Sequence, residues 1–487
     1  MKNHKKQSGY ALLILMALLT LAAAALAAKT MSSNSGNSQF ARDKITAAAL
    51  AQAKEALIGY AITYAESHPG NVDGYLPCPD TSGVALGGEG ASEGNCGAQD
   101  VSVIGRLPWK TLDLPALRGG DSECLWYAVS GTYKNNPKTG LMNWDTNGQL
   151  QVYASDGITL LTSTDNQAVA VIFAPGVALG QSRPVASGTS SCGGNYIASN
   201  YLDNDTVHGI NNSDISTGKF IQPHKDRDIN GNIILTVNDQ LVFITKQDIW
   251  NAMQKRSDFL STLTNMTQQV ALCVAGFGFN NNTTSNKSLP WPAQLPLNDY
   301  SANTNYNDSD GLSVGRVPYK VNTARGQNGN SIPYPYYLLQ ADGSNCPVPG
   351  NWTSIYPWWN NWKDQLFYAV SQEYQPDNHP TNNCGTCVTV NKNTPGNAAS
   401  KYAAVVIFAN QALPGQNRAS SLTDTQRGNV TKYLEGSNAT NIASPHSNGN
   451  EDYQISATST TFNDIIYCIK QDLSVVKGDV TQTPACP

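Results

Sequence analysis

Trp126-Tyr127-Ala128-Val129-Ser130 and Phe367-Tyr368-Ala369-Val370-Ser371 are one phrase written twice in the same chain. The stretches around each copy also recur, in the same order. Before it, Leu76-Pro77-Cys78-Pro79 and Gly105-Arg106-Leu107-Pro108-Trp109 match Leu289-Pro290-Trp291-Pro292 and Gly315-Arg316-Val317-Pro318-Tyr319. After it, Ala170-Val171-Ile172-Phe173-Ala174 matches Val405-Val406-Ile407-Phe408-Ala409, and Ala178-Leu179-Gly180-Gln181-Ser182-Arg183 returns, one residue longer, as Ala412 to Arg418. Asn238-Asp239 up to Lys246-Gln247-Asp248 returns as Asn463-Asp464 up to Lys470-Gln471-Asp472. Ordered matches of this kind mark an internal duplication. The modules run over 39–255 and 256–487.

Each module opens with a helical pattern. Ile45, Ala49, Leu50, Ala53, Leu57, Ile58, Ala61 and Ile62 recur at spacings of three and four, until His68-Pro69-Gly70 ends the run. Phe259, Leu263, Met266, Val270 and Val274 repeat the pattern before an Asn-rich stretch from Asn280. Short strands between turns follow, over 125–129, 150–153, 168–173, 233–237 and 241–244. The runs 169–173 and 404–408 are apolar throughout, as central strands covered on both faces would be. A helix and then an antiparallel sheet, twice over, give an α+β class.

Ahead of the modules stands an apolar stretch, Ala11 to Ala28, with Lys2, Lys5 and Lys6 before it and none within it. As a helix it would be about 27 Å long, close to the thickness of a bilayer's hydrocarbon core. Lysines on its N-terminal side favour a cytoplasmic start and an exported remainder. Ten cysteines in an exported chain then imply disulfides. A net charge of −5 and a charged content of 14 % give no reason to expect a nucleic acid partner. Two export readings compete. One is a secretory signal cut after Ala25-Leu26-Ala27. The other is a leader cut between Gly9 and Tyr10, which would leave the apolar helix on the mature chain.

Lys5-Lys6-Gln7-Ser8-Gly9-Tyr10, followed by Ala-Leu-Leu-Ile-Leu, resembles a prepilin-type leader. An apolar helix, an amphipathic helix and a strand-rich head together resemble the type IV pilins and type II secretion pseudopilins. The resemblance divides the chain into a leader (1–9), a transmembrane helix with a polar joint (10–38) and the two modules, with Ser32 to Ser38 expected as a kink or melted turn. It implies cleavage by a prepilin peptidase at Gly9 and Tyr10, and an inner-membrane protein with a periplasmic head that can enter an extracellular filament. Its partners would be other pilin or pseudopilin subunits, met through the N-terminal helix. The fifth residue after the cut is Ile14, where major pilins carry Glu, so the resemblance points to a low-copy minor subunit that initiates, caps or decorates a filament. The alternative is a secreted or anchored adhesin or glycan-binding protein.

The duplication also bears on the cysteines. Cys78 and Cys96 both lack counterparts in the second module, as do Cys124 and Cys192, and joint absence is what pairing predicts. Cys273 on the second opening helix and Cys468 on the last strand form a third expected pair, because those elements should pack together. The connectivity of Cys346, Cys384, Cys387 and Cys486 stays open, with Cys384-Gly385-Thr386-Cys387 read as belonging to structural bridges. Asp226-Arg227-Asp228-Ile229-Asn230-Gly231 and Asn143-Trp144-Asp145-Thr146-Asn147-Gly148 carry calcium-like oxygen spacing. Val237 stands where a bidentate Glu should be, and Asn-Gly before a strand is a hairpin turn, so both read as turns without metal. The aromatic stretch 334–362 (Tyr334, Tyr336, Tyr337, Trp352, Tyr356, Trp358, Trp359, Trp362) reads as a loop pinned to the head, or as a surface for a ligand. His4, His68, His208, His224, His379 and His446 show no ligand spacing, and no hydrolase or phosphate-loop motif is present. The chain is therefore expected to be no enzyme and to need no cofactor.

Overall fold

The computed structural model describes residues 35–184, 190–227, 230, 233–280, 287–322, 335–347, 349–376, 384–397, 400–418, 424–444 and 449–487. The apolar segment Ala11–Ala28, like Gly9 and Tyr10, lies outside them. No helix among the described residues is long and apolar enough to cross a membrane. The chain divides into two compact units, Met1–Pro69 with Asp73–Met253, and Gly70–Val72 with Gln254–Pro487. The main division, Met253 to Gln254, lies two residues before the 255/256 junction read from the repeats.

In the first unit, helix α1 (Ser35–Ile62) already includes Ser35 to Ser38, so the polar joint is helical there rather than melted. Four strands form one antiparallel sheet: β1 (Val103–Arg106), β2 (Trp126–Val129), β3 (Ala168–Ala174) and β4 (Gln240–Thr245), in spatial order β1-β2-β3-β4. α1 lies along β3 and β4. It buries Ala49, Leu50, Ala53, Leu57 and Ala61 there, whereas Ile45 is 52 % exposed and Phe40 67 %. The predicted stripe thus starts one turn later than its first apolar residue. Every residue of β3 is buried, since one face meets α1 and the other meets Leu150, Val152, Tyr201 and Phe220. Part of that second cover is a parallel pair, Gln151–Tyr153 with Lys219–Ile221.

The second unit repeats this plan. Helix α3 (Phe259–Asn280) buries Phe259, Leu263, Met266, Val270 and Val274. Its sheet runs β5 (Val314–Arg316), β6 (Leu366–Val370), β7 (Ala404–Phe408), β8 (Ile465–Ile469) and β9 (Val475–Lys477), antiparallel throughout. β7 is central and wholly buried. The far face is again covered by strands that include a parallel pair, Val388–Val390 with Asp452–Tyr453.

The repeated phrases sit at equivalent places. Tyr127 and Tyr368 each donate from the phenol to a carbonyl of the Leu-Pro motif, Pro77 and Pro290, both at 3.2 Å. Gly105 and Gly315 face backbone so closely that a Cβ would strike the carbonyl of Asp80 or Ala293, which only glycine avoids. One local difference changes an edge. In the first unit Thr245 precedes the shared Lys-Gln-Asp, and its amide and hydroxyl pair reciprocally with the carboxylate and amide of Asp248 at 2.9 and 3.2 Å. That capping box starts helix α2 (Lys246–Gln254). In the second unit Ile469 stands before Lys470 and has no hydroxyl to cap with. The chain turns back through Leu473, whose φ is +70°, into β9.

Candidate functional site

The most elaborate polar construction occurs twice, at the head of the last shared strand. Asp203 and Asp239 lie together in the first unit, Glu435 and Asp464 in the second, all four buried. The Asp239 carboxylate accepts from the amide of Asp203 at 2.6 Å and from the side chain of Asn212 at 3.2 Å. Asp464 accepts from the amide of Glu435 and the side chain of Asn438, both at 3.0 Å. Asn212 and Asn438 in turn clasp the amide and carbonyl of one residue each, Ile221 and Gln454. Gln181 donates to Asp203 at 2.5 Å and Gln416 to Glu435 at 2.7 Å. Arg183 and Arg418 tie the same loops by donating to the carbonyls of Tyr201 and Tyr433 at 3.0 and 2.9 Å.

Burial pushes the carboxyls of Asp203, Asp239 and Asp464 up, and the neighbouring acid raises Asp239 and Asp464 further. Burial and the neighbouring acid together favour the protonated form of Asp239 and of Asp464. Oδ2 of Asp239 and of Asp464 is spent on a backbone amide that joins loop to strand, while Oδ1 of each is buried without a hydrogen-bond partner. The geometry is that of a clamp. The sequence repeat contained half of it, Gln-x-Arg and Asn-Asp; Tyr201-Leu202-Asp203 against Tyr433-Leu434-Glu435 was the signal that went unread.

A second duplicated element surrounds the Gly-Arg phrase. Arg106 is buried with its guanidinium 4.6 Å from the ring centre of Tyr201 and 5.0 Å from that of Trp126, and it donates to the carbonyls of Gly193 and Asn195. Arg316 lies 4.0 Å from Phe367 and 5.1 Å from Tyr433, and donates to the carbonyls of Asp364 and Arg427. Aromatic faces and carbonyl dipoles stabilise a cation that has left water.

The second half of the aromatic stretch is not a loop. Helix α4 (Pro349–Trp362) carries Trp352, Tyr356, Trp358, Trp359 and Trp362 against α3, while Tyr336–Tyr337 form a short strand. Trp352, Trp359 and Trp362 are fully buried; Trp359 stacks on Tyr319 at 5.7 Å and Trp358 on Trp362 at 5.2 Å. Their faces are therefore used inside the unit, while Tyr337 is 37 % exposed. Tyr334 lies outside the described residues.

Cys78 bonds Cys96 and Cys124 bonds Cys192. The third expected pair is corrected: Cys273 bonds Cys346, and Cys468 bonds Cys486. Strand alternation places Cys468 beside Ile466 on the face that packs with Tyr402, Tyr453 and Cys486. Cys273 is joined instead to the segment leading into α4. Cys384 and Cys387 bond each other, and Glu373 lies close to them.

The calcium-like stretch 143–148 is a turn, and in 226–231 Asp226 and Arg227 lie on a strand while Asp228, Ile229 and Gly231 lie outside the described residues. Asn143 accepts from the amide of Asp145, and Asn147 bridges Thr164 and Gln167. Asp226 and Arg227 pair with Ile234 and Ile233 in a hairpin. Folding does assemble one ligand set that linear spacing hid. Asp205, His208 and His224 bring a carboxylate oxygen and two ring nitrogens within 4.8 Å of one another.

No protein-family model, curated protein or solved structure matches this chain.

Proposed function

We propose that this chain is a minor pilin-like or pseudopilin-like structural subunit that initiates, caps or decorates a type IV pilus or a type II secretion pseudopilus. The observation that carries the reading is the placement of α1. A helix with one buried face follows a basic leader and an apolar segment, and it lies along a four-stranded antiparallel sheet. Its first turns leave Phe40 and Ile45 exposed, apolar side chains available to neighbouring helices in a bundle. Disulfides in both units suit a periplasmic or extracellular head.

The work in this reading is assembly. As a helix in the bilayer, the segment Ala11–Ala28 would satisfy its backbone internally. On extraction, contacts with lipid are exchanged for contacts with other subunits' helices. Ile14 offers no carboxylate for a neighbour's amine, which favours few copies at an end over many along a shaft. The second head adds bulk that a regular shaft would have to accommodate.

Sequencing the N-terminus of the mature protein tests this. Tyr10, methylated, is the expected first residue, and Gly9→Ala should leave the leader uncut in cells that contain a prepilin peptidase. A mature chain starting at Ala28 and free in the medium would overturn the proposal and favour a secreted binding protein.

A further inference from the structure

We propose that Asp205, His208 and His224 form a binding site for a divalent transition-metal ion of the zinc class. The Asp205 side chain has no solvent exposure, and its Oδ2 lies 2.6 Å from Nδ1 of His208. Its other oxygen accepts from the amide of Val207 at 3.0 Å. Among the described side chains, which leave out that of Arg227, no Lys or Arg pairs with this carboxylate. A buried carboxylate beside two imidazoles sets oxygen and nitrogen donors where one metal ion can share them.

His224 supplies the second, independent observation. Its Nδ1 meets the carbonyl oxygen of Ser155. A carbonyl can only accept, so Nδ1 donates, and in the neutral ring Nε2 is the nitrogen left with the lone pair. That Nε2 is buried and has no hydrogen-bond partner. An imidazole fixed through one nitrogen to a backbone carbonyl, with the other left bare, has the orientation of a metal ligand. The two histidine rings lie 4.8 Å apart at 77°. Gly157, at φ +65°, lies against the His208 ring so closely that any Cβ there would overlap it.

Two imidazoles and one carboxylate select zinc-class ions over calcium, which takes six or more oxygens. The ligands come from different ribbons. Asp205 belongs to the pair Asn204–Asp205 with Ile210–Asn211, and His224 starts the hairpin His224–Arg227 with Ile233–Val237. A bound ion would therefore staple two peripheral ribbons that no described disulfide joins. In the second unit the chain runs from Glu435 into a short helix, Gly436–Ile442, without a histidine.

The test uses the full chain in detergent, stripped with a chelator and kept free of thiols so that the Cys384–Cys387 bridge stays closed. Titration with zinc chloride should load one ion per chain and raise the melting temperature, whereas calcium chloride should do neither. His208→Ala and His224→Ala should each weaken zinc binding by about tenfold or more. Cobalt(II) on the unmutated chain should give d–d absorption without a thiolate charge-transfer band, a readout that holds even where a variant fails to fold. The inference is overturned if the unmutated chain takes up no zinc, if the double variant binds it as tightly, or if cobalt reports thiolate ligation.

Discussion

The two units share a helix, a sheet order, a carboxylate clamp and a caged arginine, yet they are stapled by different means. In the first, Cys124–Cys192 and Cys78–Cys96 secure loops around β1 and β2, and the last shared strand runs into α2. In the second, Cys273–Cys346 ties α3 to the segment before an inserted aromatic helix, Cys468–Cys486 anchors the C-terminus, and a fifth strand replaces α2. What stayed alike after duplication are contacts that hold loops to strands through buried polar groups. What drifted are edges and covers, where apolar surface of many shapes is enough. A buried carboxyl or guanidinium without its partners is costly, while an apolar cover can be exchanged.

That contrast can be broken most forcefully in the second unit's own cover. Trp359→Ala should destabilise by about 3–5 kcal/mol. Hydrogen exchange read unit by unit should show loosening across α3 and α4 and an unchanged β2–β3 core. Equal loosening in both units would mean that the cover is not local. Removing one bridge comes next. Cys124→Ala with Cys192→Ala should cost about 2–5 kcal/mol in chemical denaturation, with exchange rising in the first unit.

The glycine contact shared by both units offers a smaller, symmetric effect. Gly105→Ala places a Cβ about 2.6 Å from the Asp80 carbonyl oxygen and Gly315→Ala crowds that of Ala293 more severely. Each should lower stability by about 1–3 kcal/mol, the second more than the first. A neutral result at both positions would remove close backbone approach as the reason for glycine.

The smallest effect concerns the clamps. Asp239 and Asp464 have folded-state pKa values above the ordinary 3.8. Their contribution to stability is fullest below that value and is lost as pH rises through the folded pKa. Asp239→Asn and Asp464→Asn should therefore flatten the fall in stability toward alkaline pH, by up to about 1.4 kcal/mol per pH unit for each site. Denaturation midpoints across a pH series would show it, and an unaltered slope in either variant would exclude a protonated carboxyl at that site.

Much of the architecture was legible before folding. The helix stripes, the apolar strands 169–173 and 404–408 and two of the bridges follow from periodicity and from the repeat, because burial on both faces leaves few choices of residue. Cys273 was misassigned because a helix on a sheet meets only alternate strand residues, and sequence does not say which face Cys468 takes. The aromatic stretch 334–362 reads as a loop in sequence because Pro and Asn mask the helix Pro349–Trp362, which tryptophan burial holds.

Composition and pattern alone thus determined the α+β class, the duplication and the oxidised state expected of the cysteines, since these depend on local spacing and on counts. Only tertiary structure decided that Asp203 meets Asp239, that Glu435 meets Asp464, and that His208 and His224 converge on Asp205. Those meetings join segments far apart in the chain, and their partners are chosen by the register of strands and the path of loops rather than by neighbours in sequence.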